Sequence, residues 1–254
     1  MFPFALIERR PLKFLYHWAP FYLIIFLYDQ FRAIADDLTQ SVNFTLLPSL
    51  EQSLFGGIIP TVWLQERLLS AAHGALGTVL SFFYLGHFIL PVAVLYLLWR
   101  KNLSVFRITI GAITLVSILG FITFALFPAA PPWMASLDGT IPKVERLILF
   151  HLNQLFTDWL PKLYANLSPN EVAPFPALHA AYPAVLFLAS NKYFPRFKWL
   201  FLANTLIVSF TIVLFAEHYV IDIIAGWLYA FLSFVIINNL KLFLKVKGLR
   251  HKKR

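Results

Sequence analysis

His218 and Asp222 stand four residues apart in Glu217-His218-Tyr219-Val220-Ile221-Asp222, at the head of an apolar run. That spacing puts both side chains on one face of a helix. Ionisable groups are costly in hydrocarbon, and where they occur they point to a working site. A second histidine, His179, opens another apolar run behind Phe175-Pro176-Ala177-Leu178. Imidazole can act as nucleophile, base or acid near neutral pH. A carboxylate one turn away can accept a hydrogen bond from one ring nitrogen, which leaves the other unprotonated and aimed at a substrate. In this reading Asp222 orients His218, His218 attacks, and His179 across the site protonates the leaving oxygen. The run that starts at Leu178 also offers free N–H groups and the positive end of a helix dipole, which suit an anion. Phosphate is the expected anion at a membrane surface.

Other uses of these residue types are weaker. His179, His218, Asp222 and Glu217 also admit a zinc site. Glu217 and His218 are adjacent, however, and so lie on different faces of a helix; no metal or cofactor is expected. His17, His73, His87, His151 and His251 have no comparable setting and are assigned no chemistry. The absence of cysteine excludes disulfides, thiolate metal sites and a cysteine nucleophile.

The elements that must position these groups are membrane helices. Of 254 residues, 59% are hydrophobic and only 13% charged, and the mean hydropathy is +0.72. A soluble domain is roughly 45–50% apolar. Crossing hydrocarbon takes about 20 residues, and six runs approach that length: 14–31, 74–99, 104–127, 178–195, 198–216 and 219–240. The expectation is an all-α polytopic membrane protein, a bundle of six transmembrane helices, forming a single domain over 1–254 with a catalytic core at about 75–240 and a basic tail at 241–254. The first run follows Arg9, Arg10 and Lys13 and lacks a small-residue cleavage site, so it reads as an uncleaved span.

Charge fixes the expected orientation. Lys and Arg concentrate at the N-terminus, at Arg100, Lys101 and Arg107, at Lys192, Arg196 and Lys198, and in the tail. The opposite loops hold nearly all the carboxylates, among them Asp36, Glu51, Glu66, Glu145 and Glu171. The net charge of +9 therefore marks cytoplasmic loops and termini rather than nucleic-acid binding. Pro128, His179 and His218 then share the extracytoplasmic level. On that side, segments 32–73 and 143–163 carry apolar positions at steps of three and four with a Trp each, the pattern of interfacial amphipathic helices. Trp133 and the 143–163 segment are candidates for holding a headgroup. Lys143 and Arg146 are the nearest outer cations in sequence to meet its phosphate.

Three short motifs carry a family resemblance: Phe127-Pro128-Ala129-Ala130-Pro131-Pro132-Trp133, Phe175-Pro176-Ala177-Leu178-His179-Ala180, and His218-Tyr219-Val220-Ile221-Asp222-Ile223-Ile224-Ala225-Gly226. The chain resembles the type 2 phosphatidic acid phosphatase superfamily over about residues 75–240. The resemblance implies a phosphohistidine at His218, orientation by Asp222, and an acid–base role for His179. It also implies that Pro128, Pro131, Trp133, Ala177 and Leu178 line the substrate site. Where the phosphatase version has arginines, this chain has Phe127 and Ile212. Apolar side chains cannot neutralise a phosphate dianion. Phe-Pro followed by Ala-Pro-Pro-Trp instead looks like inositol phosphorylceramide synthase and its prokaryotic relatives, whose phosphodiester substrate carries one charge. The second motif has Ala177 where the family usually has Ser, which removes one hydroxyl donor.

The expectation is a lipid phosphotransferase that moves a phospho-headgroup, phosphoinositol by the resemblance, from a glycerophospholipid donor to a lipid alcohol acceptor such as ceramide. Two rivals stand beside it. A phosphatase of the same fold would release phosphate from phosphatidic acid or a prenyl diphosphate. A transporter or lipid-binding module would show no turnover at all.

Overall fold

A computed structural model describes residues 11–19, 21–23, 26, 42–156 and 172–251 of the chain, with the backbone alone at 88 and over 241–251. The expected span 14–31 and the outer segments 32–73 and 143–163 therefore fall partly outside the described residues. Helical residues 11–19 and 21–23 are followed by α1 (Leu46–Leu54), α2 (Pro60–His73), α3 (Ala75–Lys101), α4 (Leu103–Leu126), α5 (Pro132–Asp138), α6 (Leu147–Leu155), α7 (Leu178–Tyr193), α8 (Lys198–Leu214) and α9 (Val220–His251). A 3₁₀ turn, Pro195–Phe197, joins α7 to α8. Among the described residues there is no strand, only an isolated bridge between Asn43 and Ala129.

Among the described residues, three stretches are long and apolar enough to cross a bilayer: Leu103–Leu126, Pro195–Leu214 and Val220–Leu240. Pro60–His73 and Ala75–His87 pass together but are bent by 99° at Gly74. At the corner, a Cβ at Gly77 would stand 1.8 Å from Ala72 O. Only glycine lets the two helices meet so closely.

Helix α7 occupies the middle of the bundle and packs on α3, α4, α8 and α9. It is 16 residues long, and Phe194-Pro195 stops it, because proline disfavours helix in the residue before it. Its small residues Ala180, Ala181, Ala184 and Ala189 are buried and let neighbouring backbones approach, as small residues do between membrane helices. At its start, Leu178 fills the space beside Gly120 of α4, where a Cβ would stand 2.9 Å from the leucine side chain. Around the opposite edge of the same end, Leu47, Ile59, Ala129, Ala130, Ala135, Ile141, Val144, Ala216 and Tyr219 form a separate buried cluster. That cluster joins α1 and α5, with the segments around them, to the α8–α9 loop.

Candidate active site

The α8–α9 loop is shaped by local backbone hydrogen bonds. The N–H of Ala216 donates to Val213 O at 3.0 Å, and the N–H of Glu217 donates to Ile212 O at 3.0 Å. This is the paired pattern that ends a helix when the next residue is left-handed. Ala216 takes that conformation, with φ 61°. Ile212 O also accepts from His218 N at 3.1 Å, so the reversal delivers His218 directly to the start of α9.

Three backbone N–H groups at the head of α9 would otherwise be orphaned. Asp222, in the first turn, reaches back to accept from Tyr219 N at 2.8 Å, which is half of a capping box. Glu51, from α1, accepts from Val220 N at 2.6 Å and Ile221 N at 3.2 Å. Both carboxylates are fully buried. Burial pushes the Glu51 carboxyl up to about 7, against the two backbone bonds that lower it.

The two motif histidines converge. Their ring centroids are 5.0 Å apart, and Nδ1 of His179 lies 2.9 Å from Nε2 of His218. Nδ1 of His218 lies 2.9 Å from Pro174 O. A carbonyl only accepts, so this nitrogen carries the proton and Nε2 of neutral His218 is left as an acceptor. His179 Nδ1 is then the donor in the histidine pair. Asp222 Oδ2 stands 3.5 Å from His218 Nδ1, farther than the Pro174 carbonyl. It is near enough to stabilise a positive charge on the ring. The arrangement can therefore hold one imidazole nitrogen unprotonated, with a donor facing it and a buried carboxylate behind it.

Backbone bonds gather the three motifs around this pair. Ala177 N donates to Asp222 O at 2.9 Å, Trp133 N to Ala216 O at 3.1 Å, and Ala129 N to Val172 O at 3.0 Å. The Phe175–Pro176 peptide is cis. A Cβ on Gly226 would stand 2.4 Å from Ala177 O, so glycine lets α9 touch the segment that ends at His179.

Residues 46–236 match the family model described as the PAP2 superfamily. The chain belongs to the PAP2 superfamily. Among PAP2 relatives, it is 26% identical to the inositol phosphorylceramide synthase catalytic subunit of Schizosaccharomyces pombe over 78% of this chain and 47% of that protein. It is 25% identical to the phosphoinositol dihydroceramide synthase of Bacteroides thetaiotaomicron over 91% of this chain and 78% of that protein. It is 26% identical to the inositol phosphorylceramide synthase of Candida albicans over 87% of this chain and 47% of that protein. The chain thus spans about half the length of the two fungal relatives. No solved structure matches it.

At the two positions where PAP2 phosphatases are expected to carry arginine, the structure has apolar packing. Phe127 meets Phe175 edge to face with ring centroids 6.0 Å apart, and Ile212 is fully buried. Pro128, Pro131, Ala177 and Leu178 are buried and Trp133 is half-buried. Lys143 is exposed. Arg146 is drawn to the residue beside His218: its Nε donates to Glu217 Oε1 at 2.7 Å and an Nη to Oε2 at 3.3 Å. Its guanidinium also lies 4.4 Å over the Trp133 ring, a cation–π contact. Glu217 thus turns away from the set that spacing alone offered to zinc. Among the described residues no three His, Asp or Glu side chains gather as a metal site.

Several residues near the pair were not singled out from sequence. The His87 ring packs 4.5 Å from that of His179, although its position in an apolar run suggested no chemistry. Tyr84 stacks on His179, with its hydroxyl 3.5 Å from Nε2. Both lie on α3, one turn apart, and period-3.6 spacing was the available signal. Gln65 of α2 clamps two loops: it donates to Glu145 O and Leu214 O, each at 2.8 Å, and accepts from Glu145 N at 2.8 Å. It thereby sets Arg146 beside the α8–α9 loop.

Proposed function

We propose that the chain is a membrane lipid phosphotransferase that works through a phosphohistidine on His218. The observation that carries this reading is the 2.9 Å approach of His179 Nδ1 to His218 Nε2, with the other His218 nitrogen held by Pro174 O. A phosphodiester entering between the rings meets a lone pair on one side and a proton on the other. His218 Nε2 attacks phosphorus while the P–O bond to the diacylglycerol oxygen breaks. His179, entering as imidazolium, gives that oxygen its Nδ1 proton. In the second step the acceptor hydroxyl gives its proton back to His179 Nδ1, its oxygen attacks phosphorus, and the P–Nε2 bond breaks. Phosphohistidine with a protonated Nδ1 is cationic at the ring, and Asp222 supplies the opposite charge. Splitting transfer into two displacements is the gain from covalent catalysis.

Transfer is favoured over phosphate release by the apolar Phe127 and Ile212, which suit a diester with one negative charge better than a monoester dianion. The names of the fungal and bacterial relatives point to phosphoinositol as headgroup and to a ceramide or dihydroceramide as acceptor. The reading includes six membrane spans, 14–31 and α7 among them. Both termini are cytoplasmic, with the site at the extracytoplasmic face beneath the interfacial segments. The clustering of Lys and Arg on alternate loops supports that orientation.

The test is to incubate purified protein with a panel of phospholipids, with and without ceramide, and to identify all products by mass spectrometry. Expected is a new phospho-headgroup lipid with diacylglycerol released in equal amount when the acceptor is present, and no more than about one diacylglycerol per enzyme without it. Inorganic phosphate released from phosphatidic acid as the sole product would overturn transfer.

A further inference from the structure

The proposed mechanism leaves Glu51 without a task, yet it is among the most constrained side chains near the site. It lies in α1, and its Oε1 bonds the first two N–H groups of α9, 169 and 170 positions away in sequence. Its side chain is fully buried, and Oε2 has no hydrogen-bond partner among the described residues. Burying a carboxyl group is costly unless its bonds do work.

The platform that carries it is tied to the first motif. Asn43 N donates to Pro128 O at 3.0 Å and Ala130 N donates to Asn43 O at 2.9 Å. The Asn43 side chain accepts from Leu46 N at 2.8 Å, at the start of α1. A continuous line of hydrogen bonds thus runs from the first motif through α1 to the turn that carries Asp222. The titratable groups that Glu51 feels are Asp222 and Tyr219, both on the stretch it caps. With its carboxyl near 7, Glu51 samples both charge states at neutral pH, and Oε1 has a lone pair for the two amides in either.

We propose that Glu51 is a positioning residue for the transfer reaction: by accepting from Val220 N and Ile221 N it sets the first turn of α9, and so holds Asp222 behind the His218 ring. This rests on the phosphotransferase reading. The acceptor oxygen is what matters, so the two informative variants separate acceptance from volume. Glu51→Gln keeps an amide oxygen; Glu51→Met keeps the bulk with only a weakly accepting sulfur.

Both variants are to be compared with the wild type in detergent for kcat, for KM of the donor lipid, and for the imidazole nitrogen resonances of ¹⁵N-labelled His218. Glu51→Met is expected to lower kcat by roughly tenfold or more, the scale of one buried hydrogen bond expressed as a rate. Its KM should stay within about twofold, because substrate contacts are untouched. The His218 resonances should move in Glu51→Met and stay near the wild type in Glu51→Gln, which should recover most of kcat. A Glu51→Met enzyme as active as Glu51→Gln, or His218 resonances equal in the two, would overturn the proposal. If the wild type transfers no headgroup at all, the reaction assignment fails. The resonances still decide whether Glu51 positions His218.

Discussion

His179 and His218 share a hydrogen bond, Nδ1 to Nε2 at 2.9 Å, although they are 39 residues apart in sequence. The bond fixes which nitrogen of His218 is open to a substrate, because Pro174 O holds the other. His218→Ala and His179→Ala are each expected to lower kcat by about 10³-fold or more, as losses of a nucleophile and of its acid–base partner do. Asp222→Asn keeps an oxygen for Tyr219 N but removes the charge behind the ring. It is expected to cost about 10²-fold or more in kcat with little change in KM. Steady-state kinetics on protein of unchanged melting temperature check all three. Full turnover in Asp222→Asn would remove the carboxylate from the mechanism.

The histidines and the aspartate were legible because each stands at the mouth of an apolar run, and because His218 and Asp222 repeat at one helical turn. The predominance of helix was legible for the same reason: long apolar runs leave little else. The role of Pro174 O was not legible, since every residue but its side chain looks alike in a backbone carbonyl. Spacing suggested that Asp222 accepts the hydrogen bond of the His218 ring; the Pro174 carbonyl is nearer, and Asp222 Oδ2 also accepts from Tyr219 N. Glu51 read as one acid among many on an outer loop, because its partners lie at the far end of the chain. Arg146 read as an outer cation to meet a phosphate, because its pairing with Glu217 depends on Gln65 bringing two loops together.

Gly226 faces Ala177 O so closely that a methyl group there would stand 2.4 Å from it. The obstacle is backbone, so α9 or the segment before His179 must move. Gly226→Ala is expected to destabilise the protein by about 1–3 kcal/mol, the usual cost of overpacking. It should also lower kcat by separating Asp222 from the second motif. Thermal unfolding in detergent and kcat on the folded fraction measure the two effects. A variant of wild-type stability and activity would show that the contact is slack.

Glu51 makes stability depend on pH in a stated direction. Its carboxyl is raised from 4.5 to about 7, so between those values the folded protein holds a proton that the unfolded chain releases. The stabilisation is complete below about pH 4.5 and is lost as pH rises through about 7, with a span on the order of 3 kcal/mol. The melting temperature should therefore fall across that window for this group. Glu51→Gln should flatten that component, as seen by subtracting the two melting curves over pH. Identical pH dependence in both proteins would contradict the assignment.

Arg146 and Glu217 have side chains only 16% and 9% exposed, so removing one partner strands a nearly buried charge. Arg146→Ala is expected to cost roughly 3 kcal/mol, and Glu217→Gln a comparable amount. The double variant should be less unstable than the sum of the two, with a coupling of about 1–3 kcal/mol. Denaturation of the four proteins in one detergent measures the cycle. Additive losses would mean that the pair makes no net contribution.

The most direct measurement concerns His218 itself. Purified protein mixed with a phosphoinositol lipid and no acceptor, quenched under alkaline conditions and mapped by peptide mass spectrometry, should carry one phospho-headgroup on the peptide containing His218. The adduct should vanish on adding ceramide and be absent from His218→Ala. An enzyme that forms product at full rate with no adduct on His218, or with the adduct on another residue, would contradict the proposed reaction.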